Sequence, residues 1–310
     1  MKYTHRNSSA SCGDQAEDPS CHMRIGFIGA GKVGTTLGKY MSSTDNEVVG
    51  YLSKSVESAA EAARFTNSMV YQDIGRLISD SDMVFLTVPD GSIISVYEEV
   101  AKHPIEGKFI CHCSGVMTAK DAFPDIVQKH GYGYSVHPLF AVSDKFKAYK
   151  ELPDVFFAIE GAKEKLADIM NILDKSGLKA SVIDSDDKTK YHLAAVMSSN
   201  LAIGLMSKCV CLMRECGFSG EDALKALAPL VKGNIRHIFD AGLSESLTGP
   251  VERGDFQTIN KHGKCLNEED ERLYGLLSKQ VLTIAKEKHP ERNYEKTEEV
   301  IENCLGGSRK

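Results

Sequence analysis

The chain has 310 residues, of which 42% are hydrophobic and 26% are charged, and its formal net charge at pH 7 is -6. This composition is ordinary for a globular protein of about two domains, which is long enough to bury a large core. The negative charge and the lack of a Lys/Arg block argue against a nucleic-acid-binding or anionic-membrane surface. Nine cysteines without a CxxC pair indicate free thiols in a reducing, cytoplasmic setting and no metal site.

Two segments have the position or length of targeting or membrane-spanning sequences. Residues 1–22 are polar and lack the apolar segment of a signal peptide, so we predict a disordered N-terminal extension. The apolar run from Leu193 to Met213 is long enough to span a bilayer. Because Asn200 and Lys208 interrupt it, we expect the core of a helical domain there and no membrane association.

From residue 23 onward, short apolar runs alternate with helical patterns. The predicted strands lie at 24–28, 47–52, 69–71, 83–88, 109–112, 133–137, 155–159 and 180–183. This βαβαβ alternation is typical of an α/β fold of the Rossmann type, with a doubly wound, mostly parallel sheet. We therefore predict a dinucleotide-binding domain at 23–184.

The pattern changes after Asp184, where no further strand is convincing. Helices are predicted at 186–216, 219–232, 267–288 and 294–304, and Gly217 and Gly233 fit helix ends. The second domain, 185–310, is therefore predicted to be all-α and to contribute to substrate binding and dimerisation.

A GxGxxG motif lies between the first strand and the first helix, which is the context that dinucleotide binding requires. Its residues are Gly29, Ala30, Gly31, Lys32, Val33 and Gly34. The first glycine permits the tight turn, the second lets a pyrophosphate approach the backbone, and the third lets the helix pack on the strand. The helix N-terminus attracts the phosphate, so the motif predicts a dinucleotide cofactor.

The end of the second strand bears on the choice between NAD and NADP. NAD-binding proteins usually carry Asp or Glu there for the ribose 2′-hydroxyl. This chain has Ser53, Lys54 and Ser55 instead. A lysine between two hydroxyl groups can bind a 2′-phosphate, so we predict NADP (NADPH) as the cofactor.

Residues at the ends of two further strands are expected to border the cofactor, because ligands bind beyond the carboxyl ends of strands in an open α/β sheet. The fourth strand ends in Val88, Pro89 and Asp90, and Asp90 can also cap the next helix. Ser114 is the first polar residue after the fifth strand and is predicted to face the crevice.

Two histidines are candidates for proton transfer, because imidazole titrates near neutrality. His137 ends a strand that Pro138 prevents from continuing, whereas His192 and Asn200 lie on the helix predicted at 186–216. The last two lie about 12 Å apart along a helix axis, so they cannot easily grip one substrate atom. We therefore assign proton transfer to His137 and place His192 on the substrate side.

Six motifs occur in the order that one known family has: GAGKVG, VPD, HCSG, HPLF, KYHLAAVMSSNL and LTGPVERGD. With these motifs the chain resembles the Rossmann-like NADP oxidoreductases whose C-terminal helical domain is catalogued as a domain of unknown function. The wider superfamily includes prephenate dehydrogenase, pyrroline-5-carboxylate reductase and ketopantoate reductase. The resemblance implies an NADP oxidoreductase whose helical domain often dimerises.

The resemblance also bears on individual residues. His137 and Ser114 are similar to a His and a Ser in the site of prephenate dehydrogenase, where the His assists oxidation of a hydroxyl group. Asn200 resembles the Asn of the Lys-x-x-x-Asn helix in hydroxyacid dehydrogenases, but Val196 stands where the Lys would be. A histidine would therefore have to supply the proton.

These features predict an NADP-dependent oxidoreductase that transfers a hydride between nicotinamide and a small polar carbonyl or hydroxyl substrate in the cleft between the domains. Asn200 and Ser114 would orient the reacting group and the nicotinamide amide. An imine reductase of the pyrroline-5-carboxylate type is one alternative. A non-catalytic NADP-binding sensor, motivated by Val196, is the other. We expect a cytoplasmic homodimer.

Overall fold

The computed structural model describes residues 22–306. The extension predicted for residues 1–22 therefore lies outside the described residues, apart from His22. The chain divides into two compact units, one ending at Ala202 and the other beginning at Ile203. Asp184, the predicted domain boundary, lies just after the last strand, and the first unit also includes the helix that follows it.

An eight-stranded sheet forms the centre of the first unit, with the strand order β3-β2-β1-β4-β5-β6-β7-β8. The strands are β1 (Arg24–Ile28), β2 (Glu47–Leu52), β3 (Met69–Val70), β4 (Met83–Leu86), β5 (Phe109–His112), β6 (Tyr132–Pro138), β7 (Phe156–Gly161) and β8 (Lys179–Val182). Neighbouring strands are parallel except for β6 and β7, which are antiparallel. The predicted mostly parallel, doubly wound sheet is confirmed. Its strand order reverses at β1, and ligands bind at such a point.

Helices cover both faces of this sheet, which is why its central strands read as continuous apolar runs. They are α1 (Lys32–Met41), α2 (Val56–Thr66), α3 (Ile74–Asp80), α4 (Ile93–Val100), α5 (Ala119–Ala122) and α6 (Leu166–Lys175). The next helix, α7 (Lys188–Ser198), follows β8, and Lys188 is its one buried residue. One buried cluster includes Phe27 and Phe85, and a second includes Leu86 and Ile110. Residues next to each other on β4 thus contribute to different clusters, as strand alternation requires.

The described part of the second unit is helical, as predicted. Its helices are α8 (Asn200–Glu215, which begins in the first unit), α9 (Gly220–Ala241), α10 (Leu243–Ser246), α11 (Pro250–Arg253), α12 (Phe256–Lys264), α13 (Glu268–Lys288) and α14 (Glu295–Cys304). Gly217 follows α8 with a φ of 94°, as a helix end requires. The prediction that Gly233 ends a helix is wrong, since α9 continues to Ala241. An interior glycine costs about 1 kcal/mol, which is too little to stop a helix by itself.

The single helix predicted at 186–216 is divided into α7 and α8 at Ser199, whose φ and ψ are -117° and -76°. The hydroxyls of Ser198 and Ser199 donate to the carbonyl of Ala195, at 3.1 and 2.6 Å. Such bonds compete with the backbone ladder and bend helices. The polar residues in this apolar run therefore mark a break in the helix.

The prediction that Leu193–Met213 forms a buried core is wrong for the chain by itself. In the stretch Ser185–Glu215, the most apolar 18-residue window has a mean hydropathy of 1.5, and none of it is buried. Among the described residues, this one stretch is long and apolar enough to cross a membrane. Length and composition are weak evidence, because helices covered by other protein surfaces pass the same test. Burial depends on what packs against a helix, which periodicity does not specify.

Candidate active site

The three glycines of the loop between β1 and α1 have different surroundings. Gly29 has a φ of 111°, and a Cβ there would lie 2.5 Å from the carbonyl oxygen of Thr87. A Cβ on Gly34 would lie 2.5 Å from the carbonyl oxygen of Gly29. A Cβ on Gly31 would meet nothing within 4 Å. The outer glycines thus permit close packing, and the middle one borders open space.

The N-terminus of α1 lies next to that open space. Gly31 is the N-cap residue, so no side chain accepts a hydrogen bond from the first-turn amides. Uncapped amides and the positive end of the helix dipole together favour an anion. The loop therefore fits a phosphate group, and it lies at the carboxyl end of β1.

The three residues after β2 differ in their availability to a ligand. The hydroxyl of Ser55 accepts a hydrogen bond from the amide of Ser58 at 3.1 Å and donates to Glu57 at 2.9 Å. It is therefore engaged in capping α2. Lys54 is exposed and Ser53 is half-buried. The side chains of these two residues are therefore available to bind a 2′-phosphate.

Asp90 makes a different contact from the one predicted. It does not cap the next helix: α4 begins at Ile93, and its N-cap Ser92 makes no side-chain cap bond. The carboxylate of Asp90 instead accepts a hydrogen bond from the hydroxyl of Ser114 at 2.7 Å. A three-residue 3-10 turn from Asp90 precedes α4 and moves the carboxylate away from the helix start. This contact joins the segments that follow β4 and β5.

Ser114 is buried, with 4% of its surface exposed, so its prediction as a crevice-facing residue needs correction. Its hydroxyl also accepts hydrogen bonds from the amides of Val116 and Met117, at 3.3 and 3.1 Å. A serine after a strand commonly satisfies the amides of the following turn in this way. Ser114 thus holds the loop after β5.

The thiols of buried Cys111 and half-buried Cys113 are both protonated. Burial raises the pKa of Cys113 to about 12 and that of Cys111 well above its ordinary value. Among residues 22–306, no group of three or more His, Cys, Asp and Glu side chains is arranged to hold a metal ion.

The two candidate histidines meet at Gly115. The rings of His137 and His192 are perpendicular, with an interplanar angle of 83° and centres 5.9 Å apart. A Cβ on Gly115 would lie 2.8 Å from Nε2 of His137 and would also collide with Nδ1 of His192. That Nδ1 atom is buried and has no hydrogen-bond partner among the described residues. Both imidazoles therefore present nitrogen atoms to one small region.

His137 is a neutral imidazole at pH 7. Burial, reinforced by the charges of Lys188 and His192, lowers its pKa to about 4. Its Nδ1 atom lies 2.9 Å from the hydroxyl of Tyr191. Burial raises the pKa of Tyr191 to about 12, so this hydroxyl keeps its proton and can donate it to Nδ1.

A cavity of about 250 Å³ lies between the end of β6 and α7. Its lining consists of His137, Pro138, Leu139, Phe140, Ala141, His192, Ala195, Val196, Ser198, Ser199 and Asn200. The fold thus brings His137, His192 and Asn200 to one cavity, whereas Ser114 is not part of its lining. Since the chains of β1, β4, β5 and β6 run in one direction, the cavity lies at the sheet edge that carries the glycine loop.

Sequence reasoning did not single out two residues of α7 that contact β6: Lys188, which bonds to Ser135, and Tyr191, which lies against His137. Lys188 is fully buried, and its ammonium donates to the hydroxyl of Ser135. In the sequence it is one of two lysines in Lys188-Thr189-Lys190, and nothing local separates it from its exposed neighbour. Tyr191 reads as one more large side chain in an apolar run. Only the position of β6 against α7 distinguishes them.

The fold and this site together define the class of protein. A glycine turn leads into an uncapped helix where the order of a parallel sheet reverses, which is the arrangement of a Rossmann-like dinucleotide-binding fold. Family models agree: a Rossmann-like domain matches residues 10–138, and the domain of unknown function DUF2520 matches residues 155–281. The chain belongs to the proteins that join these two domains, as its motifs indicated. No curated protein sequence matches it significantly.

Solved structures share the fold. A Thermotoga maritima protein has a TM-score of 0.67 and 26% identity, over 86% of this chain and 99% of that one. A Bacteroides fragilis protein, provisionally named an NADP oxidoreductase, has a TM-score of 0.64 and 21% identity, over 85% and 99%. Pyrroline carboxylate reductase from Plasmodium falciparum, solved with NADP bound, has a TM-score of 0.55 and 11% identity, over 92% and 97%.

Proposed function

We propose that this chain is an NADP-dependent oxidoreductase acting on a small polar carbonyl or hydroxyl compound. The observation that carries the proposal is the cavity where His137, His192 and Asn200 meet, at the sheet edge that also carries the glycine loop. The NADP bound by the Plasmodium reductase, which has the same fold, supports the choice of cofactor.

The residues present fit such a cofactor. Gly31 leaves room for a phosphate against the uncapped start of α1, and Lys54 with Ser53 would hold a 2′-phosphate. When bound, a nicotinamide dinucleotide supplies or accepts a hydride. Val88 and Pro89, after β4, would border it.

His137 would act as a neutral hydrogen-bond donor. With Nδ1 accepting from Tyr191, the proton of the neutral ring lies on Nε2, the nitrogen that faces Gly115 and His192. An Nε2–H group aimed at a carbonyl oxygen stabilises the negative charge that develops there. Asn200, on the far side of the same cavity, would orient the reacting group, and His192 would contact the rest of the substrate.

An imine reductase is the second candidate, favoured by one observation. At pH 7 the low pKa of His137 leaves no imidazolium to serve as an acid or to repel an iminium cation. His137→Gln separates the two candidates. It should lower carbonyl reduction by about 10²-fold or more and leave imine reduction largely intact. His130→Asn is the matched control, since His130 is exposed and Asn tolerates its positive φ of 54°.

The direct test is NADPH consumption with a panel of 2-oxoacids, 3-oxoacids and cyclic imines. Turnover of a carbonyl compound that depends on His137 is the expected result. Tight NADPH binding without turnover of any compound would favour a sensor and contradict the proposal.

The assembly and location we propose are a homodimer in the cytoplasm. Large apolar side chains are exposed along α8 and α9, including Ile203, Leu230 and Phe239, and a second copy would cover them. Among the described residues, six cysteines are free thiols, which fits a reducing compartment: Cys111, Cys113, Cys209, Cys211, Cys216 and Cys265.

A further inference from the structure

Lys188 is a fully buried lysine at the first position of α7. Its ammonium donates to the hydroxyl of Ser135 on β6. Burying an ammonium group is costly unless it has partners, and burial lowers the pKa of Lys188 to about 8, an effect that the Glu160 carboxylate opposes. Because that pKa still lies above 7, the side chain is predominantly charged at neutral pH.

A chain of hydrogen bonds runs from Lys188 along the ends of three strands. The hydroxyl of Ser135 donates to the carbonyl of Ser114 at 3.2 Å, and the hydroxyl of Ser114 donates to Asp90 at 2.7 Å. Ser135 and His137 are two residues apart on β6, so their side chains lie on the same face of the sheet. The ammonium is thus held on the side of β6 that carries His137.

We propose that Lys188 is a positioning residue for His137: its buried ammonium acts on the imidazole as a fixed positive charge, and its bond to Ser135 ties α7 to β6 two residues before His137. The inference rests on the proposed function in one respect, namely that His137 contacts the substrate. Lys188 itself is fully buried, so it acts through its neighbours.

The charged and titratable groups around His137 act in different directions. Burial, Lys188 and His192 lower its pKa, in that order, whereas Asp90 raises it. Tyr191 contributes a neutral hydroxyl, because burial raises its pKa to about 12. His112 on β5 is itself neutral at pH 7, since burial lowers its pKa to about 3. Among the charged groups, Lys188 is therefore the one that most disfavours the imidazolium of His137.

The neighbouring Lys190 provides a matched control on the same helix. Its side chain is 84% exposed and pairs with Asp187 at 3.3 Å. Exposed pairs of this kind contribute little and are screened by solvent. Lys190→Met thus also removes one positive charge from the first turn of α7, but it leaves the surroundings of His137 unchanged.

The test is an NMR titration of the histidine Cε1–H signals in the full chain without cofactor, with His137 assigned by His137→Gln. We expect the His137 midpoint well below 6.5 in the unsubstituted protein. We expect an increase of about one pH unit in Lys188→Met, the size of effect that one charge exerts across a partly buried site. Lys190→Met should leave the midpoint unchanged. Ser135→Ala, which keeps the charge, should leave it low.

An unchanged His137 midpoint in folded Lys188→Met would overturn the proposal, as would an equal change in Lys190→Met. If Lys188→Met does not fold, Lys188→Met/Glu160→Gln removes both buried charges and is titrated in its place, with the same two outcomes. The titration uses neither NADPH nor substrate. A failure of the proposed function therefore appears in the turnover screen and leaves this result unaffected.

Discussion

The hydroxyl of Tyr191 lies 2.9 Å from Nδ1 of His137, although the two residues are 54 positions apart in the sequence. The contact joins the end of β6 to α7 and leaves Nε2 of His137 directed to the region beside Gly115. The contact holds the ring of His137 in one orientation, which a hydrogen-bond donor to substrate requires. Tyr191 therefore belongs to the machinery that orients His137.

Replacing Tyr191 with Phe tests this role. We expect kcat to fall about tenfold with little change in KM, since the ring of His137 loses its orientation and the cavity keeps its shape. Loss of the hydrogen bond should lower the free energy of unfolding by about 1 kcal/mol. Tyr149→Phe is the control. Steady-state kinetics with an unchanged kcat would count against the role of Tyr191.

The depressed pKa of His137 predicts a specific pH dependence of stability. The unfolded chain binds a proton at His137 below about pH 6.5, whereas the folded chain binds it only near pH 4. Stability should therefore decrease as the pH falls from 6.5 to 4, by up to about 3 kcal/mol from this group. Urea unfolding at pH 7, 5.5 and 4 measures the decrease, which His137→Gln should reduce. Buried His112 contributes in the same direction and remains in that variant.

Two substitutions in the glycine loop should have opposite consequences. Gly31→Ala adds a methyl group where nothing lies within 4 Å, so we expect normal stability and at least a tenfold weaker affinity for NADPH. Gly34→Ala forces a methyl group against the Gly29 carbonyl and should destabilise the fold. Thermal unfolding and fluorescence titration with NADPH measure both effects. Unchanged NADPH affinity in Gly31→Ala would exclude the loop as the phosphate site.

The choice of NADP over NAD depends on Lys54 in our proposal. Lys54→Asp should reverse the charge offered to a 2′-phosphate and lower the ratio of NADPH to NADH affinity by about tenfold or more. Lys102→Asp, at an exposed lysine after α4, controls for net charge. A Lys54→Asp protein with the original preference would show that the residues after β2 do not select the cofactor.

The proposed homodimer can be tested on α9, where Phe239 is 83% exposed. Phe239→Asp should shift the mass measured by light scattering from dimer to monomer, because a buried unpaired carboxylate is costly at an interface. Asp240→Asn, at the next position, changes charge without removing apolar surface. A protein that is monomeric before any substitution would refute the dimer.

Much of the first unit could be predicted because its signals are local. The central strands β1, β4 and β5 are apolar runs, and the bounds predicted for β5, 109–112, match those observed. The glycine spacing from Gly29 to Gly34 likewise indicates which positions need backbone freedom or close packing. Asp90 was less predictable, because an acidic residue before a helix can cap that helix or bond to another strand end.

The sequence by itself determined the order of strands and helices, the glycine loop, and the identity of the histidines. Those features depend on hydrophobic spacing and backbone freedom, and both can be recognised from a few neighbouring residues. Only the tertiary structure decided that Lys188 is buried while Lys190 is exposed, that His137 and His192 meet at Gly115, and that the apolar run around Leu193 lies uncovered. Burial, and the pKa changes that follow from it, depend on which distant segment packs against a side chain, and no local pattern carries that information.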